Sequence, residues 1–146
     1  METEQEIREQ RQLNDLYIPL LVMQQRGKAM FNVLTSLLGR PYVFVYGTQL
    51  STDDMLLWKT WTSKAFLPMN AEIAGLLENK KDLFDDEMPQ SFRRFLSYNE
   101  AYKAEFERWE KEGGDYRHPG NFPGDFEEDV LREIRRLAMG GWLRKL

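Results

Sequence analysis

MLLWKTWTSKAFLPMNAEIAGLL, residues 55–77, concentrates apolar side chains and sets a proline inside a helical rhythm. Met55, Trp58, Trp61 or Thr62, Ala65 and Phe66 recur at steps of three and four, and Met69, Ile73, Leu76 and Leu77 carry the pattern on. That spacing puts them on one face of an amphipathic helix. Ser51 and Asp54 have capping-box spacing, with Asp a shorter substitute for Glu or Gln, so the helix is expected to start near Thr52. Pro68 has no N–H to offer the Lys64 carbonyl and its ring presses on that carbonyl, at a cost of ~3 kcal/mol unless something compensates. The expectation is a kink at Pro68, or two helices meeting at Leu67.

Upstream, Thr3 and Glu6 form a second capping-box pair, followed by a helical face of Leu13, Leu16, Tyr17, Leu20, Leu21 and Met23. The face is weak at first, so residues 1–12 are expected to project from the body. Pro19 interrupts it as Pro68 interrupts the other: Tyr17-Ile-Pro-Leu reads against Phe66-Leu-Pro-Met. The match is either coincidence or a pair of kinked helices packed with their bends in register. Met30, Phe31, Val33, Leu34, Leu37 and Leu38 extend the apolar face until Gly39 and Pro41 end it, giving one bent helix or two in tandem over residues 4–38. Tyr42, Val43, Phe44, Val45 and Tyr46 then form the one credible strand. A lone strand has no partner, which leaves, in order of expectation, an apolar connection tucked into the core, a strand paired across a dimer, or an exposed docking loop.

Downstream, residues 78–87 are acidic and irregular. Pro89 suits the first position of the next helix, whose stripe is Phe92, Phe95, Asn99, Tyr102, Phe106 and Trp109, and Gly113 and Gly114 stop it. Asn99 is the one polar member of that stripe. Facing inward, its amide is expected to donate to a carbonyl freed by Pro68 or Pro19. The loop GGDYRHPGNFPG carries Tyr116 and Phe122 as anchors. The last helix opens near Pro123 or Asp125 with Glu127, Glu128 and Asp129 and carries Arg132, Arg135 and Arg136 later, complementing the helix dipole. Gly140 and Gly141 are expected to end it, and the tail 140–146 to fold back on Trp142.

The 146 residues suit one domain, and a net charge of −4 lacks the basic footprint of a nucleic-acid binder. No cysteine is present, which excludes disulfides, thiolate metal sites and cysteine nucleophiles and suits a cytoplasmic, reducing setting. The N-terminus lacks the apolar core of a signal peptide, so a membrane enters only if an anchor precedes this chain. His118, between Arg117 and Pro119, has no Glu or His at metal-motif spacing and reads as a loop residue. Glycines never assemble into a phosphate cradle, and neither acidic cluster, around Asp85 or Glu128, fits a calcium loop. No metal and no cofactor is implied.

Trp61, Phe66, Pro68 and Asn70, then Pro89, Phe92, Phe95, Leu96, Tyr102 and Trp109, resemble a pattern found in small, uncharacterised bacterial helical proteins, some with a membrane helix upstream. The resemblance covers the middle half of the chain and implies an all-α fold with no stated activity.

These readings converge on a single all-α domain, residues 1–146, bundle-like, of four to six helices with two kinked at Pro19 and Pro68. The leading functional expectation is a non-enzymatic interaction or scaffold module that binds a protein partner or itself, through the N-terminal helix or through Tyr42, Phe44 and Tyr46. The alternative is a small-molecule-binding domain with an aromatic pocket between the Trp-containing helices, using Trp58, Trp61, Asn70, Asn99, Tyr102 and Trp109. A third, an enzyme built on Glu72 or Glu105, requires two converging carboxyls with raised pKa values.

Overall fold

Every regular element in the computed structural model, which describes residues 1–45 and 47–145, is helical. Thr3, in extended conformation, accepts the Glu6 N–H on Oγ1 at 3.1 Å and so starts α1 (Glu4–Arg11). A π-helical turn, π1 (Gln12–Tyr17), leads without a break into α2 (Ile18–Leu38). Gly39 closes α2 at a φ of 74°, where a side chain would be strained, and the Arg40 N–H reaches the Thr35 carbonyl at 3.2 Å. The second rod repeats the plan. Ser51 Oγ caps the Asp54 N–H at 3.2 Å, and α3 (Thr52–Trp61), π2 (Thr62–Phe66) and α4 (Leu67–Asn79) follow in one piece. A 3₁₀ turn (Lys81–Leu83) leads to α5 (Gln90–Glu112) and then to α6 (Phe126–Arg144). The molecule is therefore four helical rods, two of them interrupted at the expected prolines.

The interruptions are π turns. The N–H of Ile18 bonds the carbonyl of Leu13, and the N–H of Leu67 bonds the carbonyl of Thr62, each reaching five residues back. The wider turn relieves the contact between a proline ring and the carbonyl four residues before it. This explains why Asn99 is not recruited to a freed carbonyl. Asn99 is buried, yet it makes no hydrogen bond among the described residues and its Oδ1 has no partner. Nor do the two bends pack in register: π1 lies against α6, whereas π2 lies against α2.

Three further expectations give way. Residues 1–12 do not project freely, because the Arg8 guanidinium donates to Asp85 at 3.1 Å and to the Asp82 carbonyl at 3.2 Å. Gln12, fully buried, donates to the Leu83 carbonyl at 2.8 Å. At the other end α6 runs through Gly140 and Gly141 to Arg144, and Trp142 stays 57% exposed. Those two glycines weaken the helix by about 1 kcal/mol each but stay out of the left-handed region that would turn the chain back. Residues 42–45 form no strand, since only an isolated antiparallel bridge joins Val45 to Thr48. Of the outcome ranked first, an apolar connection tucked into the core, only Val43 follows it: Phe44 is half-buried, Tyr42 and Val45 are exposed, and Tyr46 lies outside the described residues.

Two cores result. In one, Leu16 and Leu20 of the first rod, Ile73 and Leu77 of α4 and Phe92 and Phe126 are completely or almost completely buried. Phe92 and Phe126 meet at 4.6 Å between centroids. In the other, Leu34, Val43, Trp58, Tyr102, Phe106 and Tyr116 come together under the connection after α2 and the loop after α5. Among the described residues no helix is long and apolar enough to cross a membrane.

Candidate functional site

The second core is built by clamping an irregular loop onto α5. Glu105 accepts from Arg108 through both oxygens, at 2.6 and 2.8 Å, and takes the backbone N–H of Arg117 at 2.6 Å. Arg108 also donates to the Asp115 carbonyl at 2.7 Å, and Trp109 Nε1 to the Gly114 carbonyl at 3.2 Å. The Arg108 guanidinium holds the Glu105 carboxyl below the usual carboxylate range, the reverse of what an acid catalyst needs. Glu72 lies elsewhere, 3.9 Å from Arg26, so the two carboxylates of the enzyme hypothesis do not converge.

The clamp delivers His118 into a ring of aromatic side chains. Its Nε2 is 2.9 Å from the Tyr98 hydroxyl and its Nδ1 2.9 Å from the Tyr116 hydroxyl. In a neutral imidazole one nitrogen donates and the other accepts, so either tautomer satisfies both partners if the hydroxyls turn accordingly. Phe44 stacks on the imidazole at 5.2 Å, and Tyr102 meets it edge-on at 4.6 Å. Burial pushes the His118 pKa down to about 4, keeping the ring neutral at physiological pH. Burial likewise raises the Tyr98, Tyr102 and Tyr116 hydroxyls above their ordinary range. The Tyr102 hydroxyl is 2.7 Å from Thr62 Oγ1, where π2 turns that side chain inward. Trp58 lies parallel to Tyr102 at 5.8 Å. Its Nε1 has no acceptor in hydrogen-bond geometry, although the Tyr116 hydroxyl is near enough to feel it.

Beside these rings is a cavity of about 490 Å³. Its walls come from α2, the connection after it, α3 with π2 and α4, α5 and the loop carrying His118. Gly27 of α2 faces α4 at the cavity wall, where an added Cβ would sit 3.7 Å from Met69 Cγ, an ordinary contact. Asn70 lines the cavity and is 7% exposed. Its amide makes no hydrogen bond among the described residues, and neither amide atom is sealed from solvent-accessible space. The one charged lining residue, Lys28, is tied 2.9 Å from Glu127, which also accepts from Gln24 and Gln25 and is held below the ordinary carboxylate range, chiefly by Lys28.

Of the residues expected to bind a ligand, the cavity gathers Trp58, Asn70 and Tyr102 and leaves out Trp61, Asn99 and Trp109. Trp61 packs on Phe66 and Trp109 on Tyr116. Tyr42 and Phe44, expected on an interaction surface, both line the cavity, and Tyr42 is 49% exposed. His118 was legible only as a loop residue; the nearest signal is the pair of large anchors Tyr116 and Phe122 on either side of it. Among the described residues no group of three His, Asp or Glu side chains is placed to hold a metal ion. The chain matches no protein-family model, no curated protein and no solved structure.

Proposed function

We propose that this protein is a small-molecule-binding helical domain whose ligand occupies the cavity between α2, α4, α5 and the His118 loop. The aromatic-walled cavity of about 490 Å³ carries this reading. It falls within the ~300–1,000 Å³ common for ligand sites and joins apolar walls to few polar groups. Native mass spectrometry of the purified protein tests it, as a co-purifying small molecule is expected. The control is Gly27→Leu: the helix tolerates a Cβ there, and the rest of the side chain extends into the void. A folded Gly27→Leu variant that retains the same molecule would overturn the assignment.

A second reading, a self-associating scaffold, is favoured by one observation. Ile18, Val22, Val33 and Leu37 share a face of α2 and are 39–60% exposed. Arg26 splits them into two pairs on that face, and exposed apolar pairs of this kind are where a second copy would seat. Sedimentation at high concentration separates the readings: a strict monomer removes self-association and leaves the cavity untouched.

A further inference from the structure

The chemistry of the walls narrows the ligand class, an inference that rests on the binding reading above. We infer that the cavity takes an uncharged, planar heteroaromatic molecule whose edge offers an adjacent hydrogen-bond donor and acceptor, and that Asn70 reads that edge.

The Asn70 amide supplies one acceptor and two donors from a single rigid plane. It is more than nine-tenths buried, lines the cavity, and has no partner among the described residues. A buried amide left unmade costs about 1–3 kcal/mol, so a ligand that completes it gains that much over one that does not. Among the described wall groups Tyr102 is engaged with Thr62 and Tyr98 with His118, whereas Trp58 Nε1, a donor alone, and Gln24 Oε1, an acceptor alone, are sealed from solvent without a partner. Asn70 is thus the buried wall residue that offers donor and acceptor together to the cavity, and a side-chain amide pairs best with a lactam-like or aminopyridine-like edge, where donor and acceptor lie side by side.

Charge points the same way. An anion meets no free cation, because Lys28 is paired with Glu127. A cation meets no carboxylate among the described residues of the wall. An aromatic cage for a quaternary ammonium needs ring faces turned to a common centre. Here Trp58 and Tyr102 lie parallel at 5.8 Å and Phe44 lies on His118 at 5.2 Å, so those faces are spent on one another. What the walls leave is a ring-lined, uncharged surround for a neutral molecule, and an edge that pairs with the planar Asn70 amide is itself planar.

Four bicyclic probes of one shape test this by calorimetric titration against the full chain: isoquinolin-1(2H)-one, naphthalene, 1-naphthoate and N-methylisoquinolinium. The lactam is expected to bind roughly 10-fold or more tighter than naphthalene, the factor for hydrogen bonds made or lost at one buried amide. Asn70→Leu should erase that preference while naphthalene binding persists; Asn70→Ala is the second variant should Leu prove too large. Naphthalene binding as well as the lactam, or either ion binding best, overturns the ligand class and leaves the binding reading standing. Saturable binding by none of the four, or binding undiminished in Gly27→Leu, overturns both.

Discussion

At Gln12–Tyr17 and at Thr62–Phe66 the chain solves the same problem in the same way, and the surroundings decide what the solution is for. Each turn lies two residues before a proline, each is closed by a bond to the fifth residue back, and each begins with a fully or almost fully buried polar side chain. Gln12 is absorbed into a filled core, where its amide donates to the Leu83 carbonyl at 2.8 Å and to Asp85 at 2.9 Å. Thr62 holds the Tyr102 hydroxyl beside a void. A π turn therefore does not by itself make a site. The hollow half differs in being roofed by irregular segments, residues 39–45 with 47–51 and residues 113–125, where the filled half is closed by helices.

The largest effect that would break this contrast is a truncation on each side. Phe126→Ala, in the filled half, is expected to cost about 3–5 kcal/mol in denaturant unfolding, since the removed ring leaves a cavity among immobile neighbours. Phe31→Ala, on the cavity wall and already 38% exposed, should cost under about 1 kcal/mol. Equal losses would mean that the two halves are packed alike.

A pH titration sharpens the contrast next, because the single histidine sits in the hollow half. His118 has a pKa of about 4 in the folded chain against 6.5 when unfolded. The unfolded state thus takes up a proton first as pH falls, so this contribution is complete above about pH 6.5 and lost on the way down to about 4. Roughly 2 kcal/mol should be gone by pH 5, and about 3 kcal/mol in all. The groups around the imidazole are the Tyr98, Tyr102 and Tyr116 hydroxyls, all raised by burial and silent in this window, and Glu105, whose own loss begins only as pH falls through the carboxylate range. His118→Gln should flatten the curve between pH 7 and 5; a slope that survives the substitution would place the titrating group elsewhere.

The polar groups of the two turns provide the third comparison. Gln12→Leu leaves the Leu83 carbonyl without its donor in a dry core and should cost about 1–3 kcal/mol. Thr62→Val keeps the shape and strands only the Tyr102 hydroxyl, next to a cavity that water can enter, so about 1 kcal/mol or less is expected.

What could be read from the linear chain follows from the range of the forces involved. Capping by Thr3 and Ser51, the stops at Gly39 and Gly113, and the disturbance at both prolines depend on neighbours within five residues, and all of them stand in the structure. The form of the disturbance was not legible, since a π turn and a kink relieve the same proline clash and only packing selects between them. The docking of Arg8 on residues 82–85 and the placing of His118 by Glu105 and Arg108 join segments remote in sequence, and no periodicity announces them. Trp58, Asn70 and Tyr102 were legible as wall residues because helical phase puts them inward; Trp109, two turns past Tyr102, and Trp61, set between the wall residues Trp58 and Phe66, do not line the void, which phase alone does not reveal.

The smallest expected effect tests where one half gives way to the other. Gly27 and Gly75 are both interior helical glycines, and Ala at either should stabilise its helix by about 0.5–1 kcal/mol. At Gly75 the added methyl meets nothing within 4 Å, so propensity acts alone. At Gly27 it touches Met69 Cγ at 3.7 Å, an ordinary contact, and narrows the cavity at the point where α2 passes α4. The two variants should therefore melt alike, higher than the parent, and differ in ligand affinity, with Gly27→Ala the weaker binder. If Gly27→Ala melts lower than Gly75→Ala, Met69 cannot yield, and the boundary between the filled and hollow halves is rigid at that crossing.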